Sequence, residues 1–171
     1  SDNGAAIQAP IKILNCNAGF KGRKGTLYEG GIRVPFIVNQ PGMVPIQTLD
    51  NLIYFPDMMP TLAALAKGTK HLPKQINGIN ILPLFYGKQV DTDNRLLYWE
   101  FPGKQRAARK GDWKCVTIHP NQPLELYNLK EDPEETNNLA KKYPRRVKEF
   151  DEEMQRMHIP TPNWPQPGEQ F

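Results

Sequence analysis

From Pro144 onward the apolar residues Val147, Phe150, Met154 and Met157 recur at i, i+3, i+7 and i+10, with Arg145, Arg146, Lys148, Asp151, Glu152 and Glu153 mainly on the opposite face. A helix with one apolar stripe has to bury that stripe against another layer. The sequence just upstream offers such a layer. Beyond Asp91-Thr92-Asp93-Asn94, where the composition changes, come three strand-like runs: Leu96 to Phe101, Arg106 to Arg109 with Trp113 to Ile118, and Leu124 to Leu129. Gly111-Asp112 is a hairpin signal between two of them, though less specific than Asp-Gly. The pattern predicts an antiparallel meander covered by a C-terminal helix.

The first half reads differently. Residues 5–26 mix Gly, Asn and Lys with no sustained period, which predicts a long loop, and long irregular loops in compact domains are usually functional. The run from Ile32 to Val38 is rich in β-branched residues and stops at Gln40-Pro41-Gly42, so it predicts a short strand with Pro35 near its beginning or at an edge. A helix is predicted over 57–67, with Asp57 as its cap, Pro60 in its first turn, Met58, Leu62 and Leu65 as its apolar face, and Lys67-Gly68 at its end. Asn77-Gly78 marks a turn, and Ile79 to Leu84 reads as a buried connection. These elements give an α+β chain divided into residues 1–90 and 91–171.

Seventeen prolines and thirteen glycines predict a loop-rich protein. Four of those prolines surround Trp164 between Ile159 and Gly168, favouring an extended tail; Pro162-Asn163-Trp164-Pro165 fits PxxP, but packing on its own body is the simpler account. The net charge of +4 is a small difference of 22 basic and 18 acidic residues, which argues for neither a nucleic-acid nor a membrane partner. No window approaches the roughly 18 consecutive apolar residues that span a bilayer. Cys16 and Cys115 match no zinc spacing and are too few for a disulfide framework; a role as small apolar side chains accounts for both, and a bridge between them is neither required nor excluded.

Two segments carry chemistry. In Ser1-Asp2-Asn3-Gly4 a carboxylate and an amide stand side by side, offering two oxygen ligands to a hard cation, although Asp2-Asn3-Gly4 is also an ordinary turn tripeptide. Calcium takes roughly six to eight oxygens, so further ligands must lie elsewhere, and the chain is expected to begin within an enzyme. The second segment has glycines at 19, 22 and 25 among Lys21, Arg23 and Lys24, a loop that lets backbone and positive charge approach an oxyanion. It lacks G-x-x-x-x-G-K-[ST], which argues against a nucleotide-phosphate cradle. Arg106 and Arg109 could reach an anionic sugar from a cleft rim, but alternating charge on a solvated strand is the simpler account. Trp99 and Trp113 suit sugar stacking or core packing. His71, His119 and His158 form no cluster, and Asp132, Glu134 and Glu135 miss the EF-hand spacing.

Taken together, Ser1 to Gly4 and Lys24-Gly25-Thr26-Leu27-Tyr28-Glu29-Gly30-Gly31-Ile32-Arg33-Val34-Pro35 resemble the type I sulfatases of the alkaline-phosphatase-like superfamily. The resemblance continues through Asp57 to Leu62, Asn77-Gly78-Ile79 with Leu82-Pro83-Leu84, and Leu97-Tyr98-Trp99-Glu100. It runs on through Arg106 to Lys114, Glu125 to Leu129 and Asp132-Pro133-Glu134-Glu135, in family order. It implies that residues 1–90 are the end of an α/β catalytic domain and that 91–171 form a small antiparallel sheet packed on a helix. It also implies that Asp2 and Asn3 ligate a divalent cation, usually calcium, that Lys24 contacts the sulfate and acts in catalysis, and that Glu29 and Arg33 orient the site.

The nucleophile implied by the resemblance is a formylglycine made from Cys or Ser in C/S-x-P/A-x-R, and neither Cys16-Asn17-Ala18-Gly19-Phe20 nor Cys115-Val116-Thr117-Ile118-His119 fits. The chain by itself is therefore expected to be inactive and to have the N-terminal part of the catalytic domain as its partner. The complete protein is expected to hydrolyse carbohydrate or aryl sulfates in a periplasmic, extracellular or lysosomal setting. A phosphodiester or phosphonate hydrolase of the same superfamily and a non-catalytic accessory module are the alternatives.

Overall fold

A computed structural model of the chain describes residues 2–6, 8, 14–102, 105–163, 165 and 170. Ser1, Trp164 and residues 166–169 lie outside the described residues, and with them part of the first motif and part of the Pro-rich tail. Residues 1–35 with 96–171 form one compact unit, and residues 36–95 form a second. The first unit starts its sheet at Leu96, close to the composition change, but it also takes in the N-terminal loop, which the split at residue 90 assigned to the other half.

Four strands build the sheet: β1 (Leu96–Phe101), β2 (Gln105–Lys110), β3 (Trp113–Thr117) and β4 (Glu125–Asn128). They run antiparallel in the order β1-β2-β3-β4, the meander expected from the sequence. Gly111 takes φ 55° at the β2–β3 turn, a left-handed conformation that glycine adopts without strain. Register aligns Tyr98, Ala108, Cys115 and Leu126 in one row and Trp99, Ala107, Val116 and Glu125 in the next. Because side chains alternate along a strand, these rows face opposite sides.

The helix expected from Pro144 runs from Pro144 to Met157 and covers the first row. Phe150 and Met154 are buried against Ala108, Cys115 and Leu126, with Tyr98, Trp113, Tyr143 and Val147 around them. Full burial of one such side chain is worth about 1.5–3 kcal/mol, so the stripe secures the helix. Trp113 meets Tyr143 edge-on at 5.3 Å, and the Arg146 guanidinium sits 4.2 Å over its ring, so Trp113 is a packing residue. Beyond the helix, His158 Nδ1 lies 2.5 Å from Glu100 Oε1 on β1. Cys115 is buried in this layer whereas Cys16 is exposed, and both are free.

The opposite face of the sheet receives the N-terminal segment. Leu27, Tyr28 and Ile32 pack on Trp99, Ala107, Val116, Tyr127 and Leu129. Here the sequence expectation fails: Glu29–Ile32 is a single helical turn, α1, closed by the Arg33 N–H on the Glu29 carbonyl. Residues 33–40 belong to no strand. β-branched composition suits a pleated surface but supplies no partner strand, and a ladder needs one.

In the second unit the helix is Met58–Leu65 (α2), preceded by a 3-10 turn, Phe55–Asp57. Asp57 makes no side-chain cap to α2. It is fully buried instead, accepting from the backbone N–H groups of Tyr54 (3.0 Å) and Ile79 (2.9 Å) and taking Arg95 at both oxygens (2.5 and 2.6 Å). The expected apolar face is also reversed. Pro60 and Thr61 are buried, Thr61 accepting from the Ile81 N–H, while Leu62 and Leu65 are 58% and 53% exposed. Lys67, not Gly68, takes the left-handed conformation (φ 57°) after the helix. Ile81 and Leu84 are buried as expected, the latter in a short helix, Leu82–Phe85 (α3).

Candidate functional site

The site is built on the sheet face away from the C-terminal helix, and each of β2, β3 and β4 extends a polar side chain to the loop that carries Lys24. From β2, Gln105 accepts from the Leu27 N–H (3.3 Å) and donates to the Gly25 carbonyl (2.9 Å). From β4, Glu125 Oε2 accepts from the hydroxyls of Tyr28 (2.8 Å) and Tyr127 (2.6 Å). Lys21 donates to the Tyr127 hydroxyl at 2.9 Å and lies 4.2 Å over the Tyr28 ring. Burial, reinforced by the bond to Glu125, pushes both phenols well above their usual range, so they stay protonated donors.

From β3 comes Lys114, fully buried, with Nζ 2.8 Å from Glu29 Oε1 and 2.9 Å from Glu135 Oε1. The Glu29 backbone N–H donates to Glu135 Oε2 at 2.7 Å. Arg109 and Arg33 stand 3.7 and 3.9 Å from Glu29 Oε2. Two carboxylates therefore face three cations under the loop. Burial raises the Glu135 carboxyl, with Lys114 and the Glu29 N–H opposing the shift.

α1 in turn holds the segment of Asp2 and Asn3. The Gly4 N–H donates to the Gly31 carbonyl (2.9 Å), the Lys24 N–H to the Ala5 carbonyl (2.9 Å), and the Gly30 N–H to the Lys21 carbonyl (2.7 Å). Asn17, buried, accepts from the Ala5 N–H (3.1 Å) and donates to the Gly22 carbonyl (2.6 Å). A Cβ on Gly4 would lie 1.7 Å from the Gly30 oxygen, and one on Gly31 2.0 Å from the Thr26 oxygen, so only glycine permits this contact of backbones. Gly19, Gly22 and Gly25 all have φ between 85° and 89°, as a glycine-dependent loop requires.

Of the residues singled out by sequence, Asp2, Asn3 and Lys24 thus lie on segments joined by backbone bonds, at Gly4, one residue from Asn3 and two from Asp2, and at Lys24 itself. Asp2 and Lys24 are exposed; Asn3 is half-buried and donates to the Gly4 carbonyl at 3.2 Å. Glu29 is buried beneath the loop, and Arg33, its side chain 51% exposed, stacks 4.6 Å over Phe20. Arg106 is not in this neighbourhood. Its row faces the C-terminal helix, where it reaches Asp151 at 3.4 Å, whereas Arg109 points to the loop side. Lys114 and Glu135 fall within the segments that carry the family resemblance, but nothing in the sequence assigns either a role in the site, because a lysine inside a strand and a glutamate in an acidic turn look solvated. The available signal was the period of two that puts Lys114 on the same face as Val116.

The family model for N-sulphoglucosamine sulphohydrolase, C-terminal, matches residues 20–159. A Formosa agariphila protein named sulfatase is 30% identical over 168 residues, covering 83% of this chain and 30% of that protein. A solved structure from work on metabolism of multiple glycosaminoglycans by Bacteroides thetaiotaomicron superposes with a TM-score of 0.76 at 28% identity, covering 91% of this chain and 37% of the other. The crystal structure of Ps i-CgsB in complex with k-i-k-neocarrahexaose gives a TM-score of 0.77 at 25% identity, covering 98% and 38%. The chain spans about 30% of the length of the first of these relatives. With the meander, its covering helix and the Lys24 loop in family order, the chain belongs to the type I sulfatases and corresponds to their C-terminal portion.

Proposed function

We propose that the complete protein carrying this chain hydrolyses sulfate esters of carbohydrates, with Lys24 contacting the sulfate and Asp2 and Asn3 contributing oxygen ligands to a divalent cation. The observation that carries this reading is the pair of backbone bonds, Gly4 to Gly31 and Lys24 to Ala5, which tie an exposed ammonium and a carboxylate–amide pair to one turn. An ammonium aimed at charge developing on the leaving oxygen stabilises the transition state by a few kcal/mol when water is excluded, on the order of what one oxyanion-hole donor supplies. Carboxylate and amide oxygens are the donors a hard cation such as calcium prefers, but two fall short of the roughly six it needs. Among the described residues there is no group of three His, Cys, Asp or Glu that could complete the set. The remaining ligands, and a formylglycine nucleophile, are assigned to sequence beyond this chain. Once bound, the cation would supply positive charge opposite the sulfate oxygens.

Residues 1–90 are read as the end of the α/β catalytic domain, with residues 1–35 packed on the C-terminal sheet. In support, the unit 36–95 leaves Phe36, Ile37, Met43, Ile46, Leu49, Phe55, Met59, Leu62, Leu65 and Ile76 exposed. Apolar surface of this extent is uncommon on an isolated domain and suits cover by more polypeptide. The carbohydrate class is supported by the glycosaminoglycan and neocarrahexaose contexts of the two structural neighbours. The test is turnover by the complete protein of 4-nitrophenyl sulfate and of sulfated disaccharides, beside bis-4-nitrophenyl phosphate. Sulfate release, with kcat falling about 100-fold or more in Lys24→Ala, is the expected result. Preference for the phosphodiester, or a Lys24→Ala rate within twofold of the parent, would refute it.

A further inference from the structure

We infer that Lys114 is a positioning residue of the sulfate site, acting through Glu29; the inference rests on the reading of Lys24 and Asp2-Asn3 given above. Lys114 is fully buried on β3. Its ammonium joins two carboxylates from separate segments, Glu29 at the start of α1 and Glu135 in the turn after β4. Burying three charges together costs several kcal/mol of desolvation that apolar side chains of similar size would not incur. What the charges add is a fixed meeting point for separate segments: Lys114 donates to Glu29 Oε1 and the Glu29 N–H to Glu135 Oε2, both with hydrogen-bond geometry, while Glu135 Oε1 meets Lys114 as an ion pair without it.

Glu135 carries a second mark of this role. It holds φ 56° although it is not glycine, and Asp132 fixes its turn by accepting from the Thr136 and Asn137 N–H groups at 3.0 and 2.8 Å. A non-glycine residue in the left-handed region costs about 1 kcal/mol, retained here where the side chain meets both Lys114 and the Glu29 N–H. Both halves of the site then hang on the turn so fixed. Gly31 receives the Gly4 N–H, Gly30 donates to Lys21, and Lys24 donates to Ala5. A shift or tilt of α1 moves Lys24 and Asp2-Asn3 together.

The test uses the complete protein and the double substitution Lys114→Met/Glu135→Leu, which removes the clamp's cation and one carboxylate together and leaves Glu29 to Arg109 and Arg33, 3.7 and 3.9 Å from its Oε2. The expected result is a folded protein whose kcat on 4-nitrophenyl sulfate falls about 10- to 100-fold, the usual cost of losing an outer-shell partner or misplacing a group by an ångström, with KM changed far less. Backbone amides of residues 20–31 should exchange with deuterium at least about tenfold faster, those of β2 and β3 at the parent rate. A folded double variant with parental kcat and exchange would overturn the inference. If that variant does not fold, Glu135→Gln, which keeps the acceptor for the Glu29 N–H and loses the ion pair, decides the matter: faster exchange over 20–31 supports the clamp, and parental exchange refutes it. Should the parent release no sulfate, the functional reading fails while the exchange measurement still judges the clamp.

Discussion

Gly4 and Gly31, twenty-seven positions apart, meet backbone to backbone, the Gly4 N–H donating to the Gly31 carbonyl at 2.9 Å. Any side chain on Gly4 would overlap the Gly30 oxygen, which stands 1.7 Å from the Cβ position. Gly4→Ala should therefore push the Asp2-Asn3 segment off the turn. Calcium affinity of the complete protein, followed by calorimetric titration, should drop about tenfold or more, since an outer-shell change of this kind is worth 10- to 100-fold. Unchanged affinity would separate Asp2 and Asn3 from metal binding.

Gln105 is the loop's tie to β2. Gln105→Ala leaves the buried Leu27 N–H and the half-buried Gly25 carbonyl without this partner, at a cost of about 1–3 kcal/mol. Urea unfolding should show that loss, and Gln105→Glu, which keeps only the acceptor, should recover part of it.

The Asp57–Arg95 pair is the second unit's polar centre. Breaking a buried pair by removing one partner costs about 3–5 kcal/mol, so Asp57→Ala should lower the unfolding midpoint sharply. A midpoint shift below about 2 °C would mean that the pair contributes little.

The two thiols should behave oppositely. Burial pushes the Cys115 thiol up to about 12, with the Asp151 carboxylate adding to the shift, whereas Cys16 is exposed. A disulfide reagent at pH 8 should label Cys16 within minutes and Cys115 only after denaturant is added. Two fast thiols in the native protein would contradict the packed helix–sheet layer.

Alkaline pH should destabilise the fold through the same groups. Unfolded thiols and phenols ionise near their ordinary values of about 8.5 and 10, while folded Cys115, Tyr28 and Tyr127 hold their protons to higher pH. The native state then binds more protons than the unfolded one, so their contribution is complete below those ordinary values and is lost as pH rises past them. Urea midpoints measured from pH 7 to 11.5 should fall from about pH 8.5 onward. Cys115→Ala should flatten the first part of the fall, and Tyr28→Phe with Tyr127→Phe the part above about pH 10.

The sheet and its helix were legible because their periods are local: two along β1 to β4, and the spacing of Val147, Phe150 and Met154 along the helix. The Lys24 loop was legible by its glycines, whose positive φ values no other residue adopts as readily. The strand expected over Ile32 to Val38 and the buried face expected at Leu62 and Leu65 failed for one reason. Each was read from residues that call for cover, and cover comes from outside the segment. Glu29, Lys114 and Glu135 lie 85 and 21 positions apart in sequence, and only the fold brings their charges together.

The alternation of β2 has a consequence for how such a protein can diversify. Gln105, Ala107 and Arg109 touch the loop, whereas Arg106 and Ala108 meet the helix, so neighbouring codons answer to different selective demands. Odd-numbered changes in this strand would alter how the loop is seated, and even-numbered ones how firmly the helix is held. One six-residue strand thus answers to two separate sets of structural constraints.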